Sequence, residues 1–315
     1  MDMCTAIRFN ERYFGRTFDF ERSFGESLVV TPREKMKILD SHNRYAMMGV
    51  GVLADRVPMY FDGVNEWGLA AAALNFPKCA KYRSENETGS HIFAGNLISH
   101  MLGLCRSVDE ARQMLERVAI TEEGADGEPP TTPLHWIIAD GRGSAVIESV
   151  ESGLKIYDNP VGVLTNSPEL PYHLTRLEDF SSLRAENPEK DMYSRGMGAI
   201  GLPGDYSSAS RFVRAAFLKK QSFGEISGSS VGDLHRAFSL LDAVKVPAFA
   251  VITDEGLPAF TMYSAVIDLA EPSYYLTAAS GCAIGVARLT DGLCDGRGIQ
   301  SYPIYREDKF ISLTN

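Results

Sequence analysis

The chain has no apolar run long enough to cross a bilayer as a helix. Such a helix needs about 20 consecutive apolar residues; the longest clean stretch, Ala46 to Ala54, is short and interrupted by glycine. The amino terminus lacks a basic segment leading into an apolar one, so no secretory signal is recognisable and the expected location is the cytoplasm. Cysteine is scarce, with five residues, Cys4, Cys79, Cys105, Cys282 and Cys294, and no C-x-x-C pair. An odd count without paired spacing argues against a disulfide framework and against a zinc site. The six histidines, His42, His91, His100, His135, His173 and His235, offer no H-E-x-x-H or H-x-x-x-H spacing, so no metal centre is expected. Positive charge is in deficit, with 31 Lys and Arg against 41 Asp and Glu and a formal net charge of -10. Binding to nucleic acid draws on clustered Lys and Arg at phosphates, so neither a nucleic-acid nor a membrane partner is expected.

What remains is an ordinary globular composition: 315 residues, 44% apolar and 23% charged, ample for a large core. The first third is rich in short β-favouring runs, at Thr5 to Phe9, Tyr13 to Phe20, Ser27 to Thr31, Tyr45 to Val52 and Val57 to Phe61. Leu69 to Phe76 is apolar enough to be buried on both faces. Helices are predicted over His91 to Leu104 and from Ser107, where Ser107-Val108-Asp109-Glu110 reads as a capping box ahead of an apolar stripe of Val108, Ala111, Met114, Leu115 and Val118. Beyond a polar loop from Glu122 to Pro133, strands at Leu134 to Ala139, Ser144 to Val150 and Leu154 to Tyr157 are joined by short turns, which predicts a meander. Helical patterns recur over Leu170 to Leu183, Ser208 to Lys220 and Val231 to Ala243, before strands at Phe249 to Thr253 and Ala259 to Leu269. Alternating blocks of strands and helices predict antiparallel sheets covered by helices, an α+β layered fold in a single domain.

Two glycine patterns are set aside. Gly196-Met197-Gly198-Ala199-Ile200-Gly201 and Gly49-Val50-Gly51-Val52-Leu53-Ala54 resemble dinucleotide fingerprints, but neither runs into a helix that could face a pyrophosphate, so both are expected to be loop or strand. Asn86-Glu87-Thr88 is a glycosylation sequon with no expected use in the absence of a secretory signal.

The chemistry-bearing residues are fewer. Cys4 precedes the first strand; a cysteine that becomes residue one carries a free α-amino group, with a reference pKa near ~8, as its own base. The competing expectation is a small buried hydrophobe. Arg16 and Asp19 lie among Phe14, Phe18 and Phe20, so at least one is expected to be buried and to need a partner, either as a structural ion pair or as a cation favouring a thiolate and a carboxylate fixing an amino group. Asn75 and Asn166 each end an apolar run; each reads as a turn residue, or as an amide donor to an oxyanion. Arg211 falls in the first turn of a serine-capped helix and, taken alone, reads as a solvated arginine.

The blocks Cys4-Thr5, Phe14-Gly15-Arg16-Thr17-Phe18-Asp19, Met59-Tyr60-Phe61-Asp62-Gly63-Val64-Asn65-Glu66-Trp67-Gly68-Leu69, Leu74-Asn75-Phe76-Pro77, Leu164-Thr165-Asn166-Ser167-Pro168 and Leu202-Pro203-Gly204-Asp205 through Ser210-Arg211-Phe212 resemble the choloylglycine hydrolase family, in order from Cys4 to Leu276. That family comprises bile salt hydrolases and penicillin V acylases of the N-terminal nucleophile superfamily. The resemblance implies a four-layer αββα fold, commonly a homotetramer, acting on a small-molecule amide without a cofactor. It implies Cys4 as nucleophile and proton carrier, Arg16 as the cation beside the thiol, and Asp19 as the carboxylate holding the amino group. Asn75 and Asn166 match its oxyanion positions, and Arg211 the arginine supporting the charged transition state. Asn75, where penicillin V acylases tend to carry tyrosine, favours conjugated bile salts over penicillin V. Because Met1-Asp2-Met3 precede Cys4, residues 1–3 are expected to be a leader that is removed, or to reflect a start at Met3, with 4–315 forming the domain. A binding protein that never exposes the Cys4 amine is the reading from another class.

Overall fold

A computed structural model describes residues 3–39, 41–54, 57–83, 90–122, 132–187, 196–223, 230–279 and 283–304. Two antiparallel sheets face one another. The seven-stranded sheet runs in the order Val163–Leu164, Thr5–Arg8, Tyr13–Phe20, Pro258–Asp268, Ser273–Ala278 and Gly285–Arg288, with Val251–Ile252 paired to Pro258–Asp268. The nine-stranded sheet runs Gly153–Asp158, Ser144–Val150, Leu134–Ala139, Ala70–Asn75, Asp62–Asn65, Met47–Ala54, Ser27–Thr31 and Gln300–Pro303, with Val57–Tyr60 paired to Met47–Ala54.

Strand alternation explains the layering. In Leu134–Ala139, Ile137 and Ala139 enter the core between the sheets, whereas Trp136 and Ile138 pack on the other side with Leu97, Ile98, Met101 and Leu102 of helix Leu97–Leu104. Successive side chains of a strand leave on opposite faces, so a sheet covered on both sides needs the near-continuous apolar runs seen in the sequence. On the far side, helices Leu170–Glu178, Ser208–Phe223 and Ser230–Asp242 cover the seven-stranded sheet, contributing Leu170, Phe212, Ala215, Phe238 and Leu241 to the core. The result is a helix, sheet, sheet, helix stack, as expected.

The expected meander is present, with Leu134–Ala139, Ser144–Val150 and Gly153–Asp158 paired in sequence. The glycine pattern at Gly49 lies inside strand Met47–Ala54. A Cβ on Gly49 would stand 2.0 Å from the Asp62 carbonyl oxygen, and one on Gly51 2.2 Å from that of Met59, so these glycines allow close approach of the neighbouring strands. The expected cap forms: Ser107 Oγ accepts the Glu110 N–H, while the Glu110 carboxylate takes the Arg106 N–H rather than that of Ser107. Three helix boundaries differ from expectation by several residues. Residues Ser90–Phe93 form a parallel ladder with Val118–Thr121, so the first helix begins at Leu97 and Val118 leaves the second helix for a strand. The third helix stops at Glu178. The sequon at Asn86, Cys282 and most of the Glu122 to Pro133 loop lie outside the described residues.

Candidate active site

The site gathers where the first strand begins. Thr5–Arg8 lies between Tyr13–Phe20 and Val163–Leu164, pairing Ala6 with both Arg16 and Leu164. This register carries Cys4 to the neighbourhood of Asp19 on one side and of Asn166 on the other. Cys4 is buried, its Sγ 4.0 Å from the Asp19 carbonyl oxygen, and its backbone nitrogen donates to Asn166 Oδ1 at 2.9 Å.

Arg211, which alone would read as solvated, is fully buried and binds the main chain of Cys4. Its Nη1 donates to the Cys4 carbonyl at 2.5 Å and to Thr5 Oγ1 at 2.8 Å, its Nη2 to Asn166 Oδ1 at 2.7 Å, and its Nε to the Tyr206 carbonyl at 2.9 Å. Burial lowers its pKa, and the nearby Asp19 and Cys4 oppose that effect. Asn166 is fixed on every side. Its Nδ2 donates to the Asn75 carbonyl at 2.8 Å; Ser208 Oγ accepts from its N–H at 2.9 Å and donates back to its carbonyl at 2.8 Å; His173 Nε2 lies 2.9 Å from the same carbonyl. Burial holds the His173 imidazole down at about 4, so it is neutral and donates through Nε2. The sequence-based expectation for Asn166 was a donor to an oxyanion. Here its nitrogen serves the Asn75 carbonyl and its oxygen serves the Cys4 nitrogen, so it anchors Cys4 and joins the two asparagine-bearing strand ends.

Arg16 and Asp19 are both buried, yet they do not pair. Being three apart on one strand they leave on opposite faces. Asp19 accepts from Thr17 Oγ1 at 2.9 Å and from Thr261 Oγ1 at 2.5 Å. Thr261 reaches it because the register with Pro258–Asp268 shifts between Thr261 and Tyr263, setting Thr261 opposite Asp19 and Tyr263 opposite Phe18. Burial raises the Asp19 carboxyl to about 6 despite Arg211, the two hydroxyl donors and Arg16. Arg16 points between the sheets, donating from Nη1 to the carbonyls of Phe61 and Ala73 at 3.0 and 3.1 Å, with Asp62 Oδ2 at 3.4 Å. Its guanidinium sits 5.0 Å over the Phe18 ring. Around it Phe18 stacks on Phe61 and Tyr263 with centroids 5.0 and 5.1 Å apart, and Phe20 and Phe24 continue the aromatic group to solvent.

Beneath the two asparagines, His135 lies between Glu148 Oε1 at 3.2 Å and the Thr165 carbonyl at 2.8 Å, and stacks on Phe76 at 4.2 Å. Glu148 also accepts the Leu170 N–H, so one buried pair ties three segments that frame the site. Thr17, Thr261, Ser208, His173, His135, Glu148 and Asp62 were not singled out by sequence reasoning. Thr17, Asp62 and Ser208 fall inside the blocks that carried the resemblance, whereas Thr261 has no local signal. Among the described residues no three His, Cys, Asp or Glu side chains converge to hold a metal ion.

Two stacked antiparallel sheets between helical layers, with a cysteine heading an inner strand, define the N-terminal nucleophile hydrolase architecture. Residues 4–302 match the linear amide C–N hydrolases, choloylglycine hydrolase family, and the chain belongs to that family. A bile salt hydrolase/transferase of Lactiplantibacillus plantarum is 37% identical over 327 residues, covering 99% of this chain and 100% of the relative. A bile salt hydrolase/transferase of Clostridium perfringens is 32% identical over 320 residues, covering 95% of this chain and 96% of the relative. The crystal structure of a variant of conjugated bile acid hydrolase from Clostridium perfringens superposes with a TM-score of 0.90 at 29% identity, covering 100% of both chains. The protein is thus a hydrolase of linear amide bonds.

Proposed function

We propose that the substrate is a bile acid joined to glycine or taurine, cleaved at that amide through Cys4. The observation that carries the reading is the pairing of a buried thiol with an aromatic group, Phe20, Phe24 and Phe61, that adjoins Arg16 and reaches solvent, a surface suited to an apolar ring system. In this reading the Cys4 thiolate attacks the amide carbonyl, with Arg16 as the cation beside it. The oxyanion forms facing Asn75. The α-amino group, held by Asn166 Oδ1 and with Asp19 as its carboxylate in this reading, relays the proton from the thiol to the departing amine. Water then attacks the thioester and releases the bile acid. Arg211 fixes the Cys4 carbonyl and Asn166 Oδ1 throughout, which keeps nitrogen and thiol in register.

The base exists only when Cys4 is residue one, because a nitrogen acylated by Met3 is an amide. We therefore propose that residues 1–3 are absent from the active protein; Met3 packs against Val246 and Ala259, beside the Thr261 that holds Asp19. Intact-mass measurement of active enzyme should give a chain beginning at Cys4, and full activity in a chain that keeps Met1 would refute this. The assembly we propose is a cytoplasmic homotetramer, testable by light scattering.

The substrate reading is tested by offering taurocholate, glycocholate and penicillin V in parallel and following released amine or acid by mass spectrometry. Rapid release from the bile salts with little from penicillin V is expected. The reverse order would identify a penicillin acylase, and silence on all three in a chain beginning at Cys4 would overturn the bile salt reading in favour of a related N-acyl amide as substrate.

A further inference from the structure

Beside Arg16 lies a carboxylate that the reaction above does not use. Asp62 is fully buried, as are Tyr263 and Tyr274, whose hydroxyls both donate to it. Tyr263 Oη meets Oδ2 at 2.5 Å, the same oxygen that faces Arg16 Nη1 at 3.4 Å, while Tyr274 binds Oδ1. Burial first, and then the neighbouring Asp62 charge, hold both phenols well above their ordinary range, so they stay protonated and act as donors. The ion pair is accordingly long, because the carboxylate's strongest bonds go to the phenols. Arg16 Nη2 is buried and has no hydrogen-bond partner among the described residues. Burial works against the Arg16 charge, but Tyr263, Cys4, Asp62 and Tyr274 together raise its pKa above the ordinary value.

We propose that Asp62, Tyr263 and Tyr274 form a buried brace that sets how much of the Arg16 charge reaches the Cys4 thiolate. The charged and titratable groups in play come from every element packed there. Asp19 lies on the same strand as Arg16, Asp62 on the neighbouring sheet, Tyr263 and Tyr274 on the adjoining strands, Cys4 ahead of the first strand, and Arg211 on the covering helix. A carboxylate bonded tightly to Arg16 would draw the guanidinium toward itself and cancel its field at the thiol. Spreading the Asp62 charge over two phenols satisfies the buried acid without claiming the cation. These are positioning residues acting through Arg16, and the assignment rests on Cys4 being the nucleophile.

The brace makes two variants shift Cys4 in opposite directions, which general loosening of the fold would not do. In Asp62→Asn the guanidinium loses its carboxylate partner between the sheets and the thiolate becomes its closest anionic partner there, so the thiol ionises at lower pH. In Tyr263→Phe, Oδ2 is left to Arg16 alone, the pair tightens, and the thiol ionises at higher pH. Tyr274→Phe should follow Tyr263→Phe with a smaller effect, because it acts on the oxygen turned away from Arg16. The measurement is the rate of iodoacetamide alkylation of Cys4 between pH 5 and 10, read by mass spectrometry on the Cys4 peptide. At pH values below the midpoint, Asp62→Asn should react about tenfold faster than wild type and Tyr263→Phe several-fold slower, a thiolate population changing tenfold for each pH unit of midpoint. If Asp62→Asn does not fold, the two tyrosine variants decide the matter by themselves. Midpoints that coincide with wild type, or variants of both kinds moving the same way, would overturn the brace. Hydrolysis by Cys4→Ala is measured alongside: activity there would remove the nucleophile reading, whereas the alkylation profile reports on the brace independently of any substrate.

Discussion

Replacing Asp19 with asparagine should make the fold more stable at neutral pH while removing most of its activity. The carboxyl is moved from an ordinary 3.8 to about 6, chiefly by burial. Between those values the folded chain binds more protons than the unfolded chain, so the stability contributed by Asp19 is intact below about pH 4 and is lost as pH rises through about 6. At about 1.4 kcal/mol for each tenfold change in proton affinity, the ionised carboxylate destabilises the fold by about 3 kcal/mol above pH 6. Asparagine removes that burden. It also mismatches one of the two hydroxyls that now donate to the carboxylate, from Thr17 and Thr261, at a cost of about 1 kcal/mol that does not vary with pH. The pH dependence therefore isolates the charge. Urea titrations followed by the fluorescence of buried Trp136, at pH 4 to 8, should show the variant gaining about 3 kcal/mol on wild type across that range. A constant difference, or a variant that loses ground as pH rises, would refute the assignment of a strained buried charge. In wild type the same ionisation should appear as a fall in kcat below about pH 6, since the proposed role of Asp19 requires the carboxylate.

Cys4→Ser should lose hydrolysis by about a hundredfold or more, because an alcohol is a far poorer nucleophile at neutral pH; turnover near wild type would sink the thiol mechanism. Arg211→Lys removes the fork that joins the Cys4 carbonyl, Thr5 and Asn166, and a point charge cannot replace it. Its kcat should fall more than tenfold with KM little changed, and its thermal midpoint should drop, both read from one preparation. Ser208→Ala deletes the hydroxyl that meets both main-chain groups of Asn166. It should cost about 1–2 kcal/mol in chemical denaturation and reduce kcat; an unchanged kcat would show that Asn166 is held adequately by its other partners.

The layered fold was readable because its strands are buried on both faces, as the unbroken apolar run at Leu69 to Leu74 announces. Ser273–Ala278, Gly285–Arg288 and Gln300–Pro303 were not foreseen, since their short runs become strands only by lying beside a partner. Tertiary pairing also overrode a helical pattern at Ser90–Phe93. In the site, the six residues singled out do converge, but their bonding was not readable from spacing. Arg16 and Asp19 invite pairing in the sequence, yet the two-residue period of a strand sends them to different layers. Arg211 reads as a surface residue because its partners, main-chain and side-chain oxygens 5 to 207 positions away, leave no trace in its neighbours. Thr261 reaches Asp19 only through a register shift.

Arg211 Nη1 grips position 4 by its carbonyl oxygen. That bond does not depend on which side chain position 4 carries. Serine or threonine could occupy the same station without disturbing a bond to the main chain, so variants at this position report on reactivity with little confusion from geometry. It also means that chemistry at the head of the strand and the proposed recognition by Phe20, Phe24 and Phe61 can be altered separately, one exchanged while the other stays as it was.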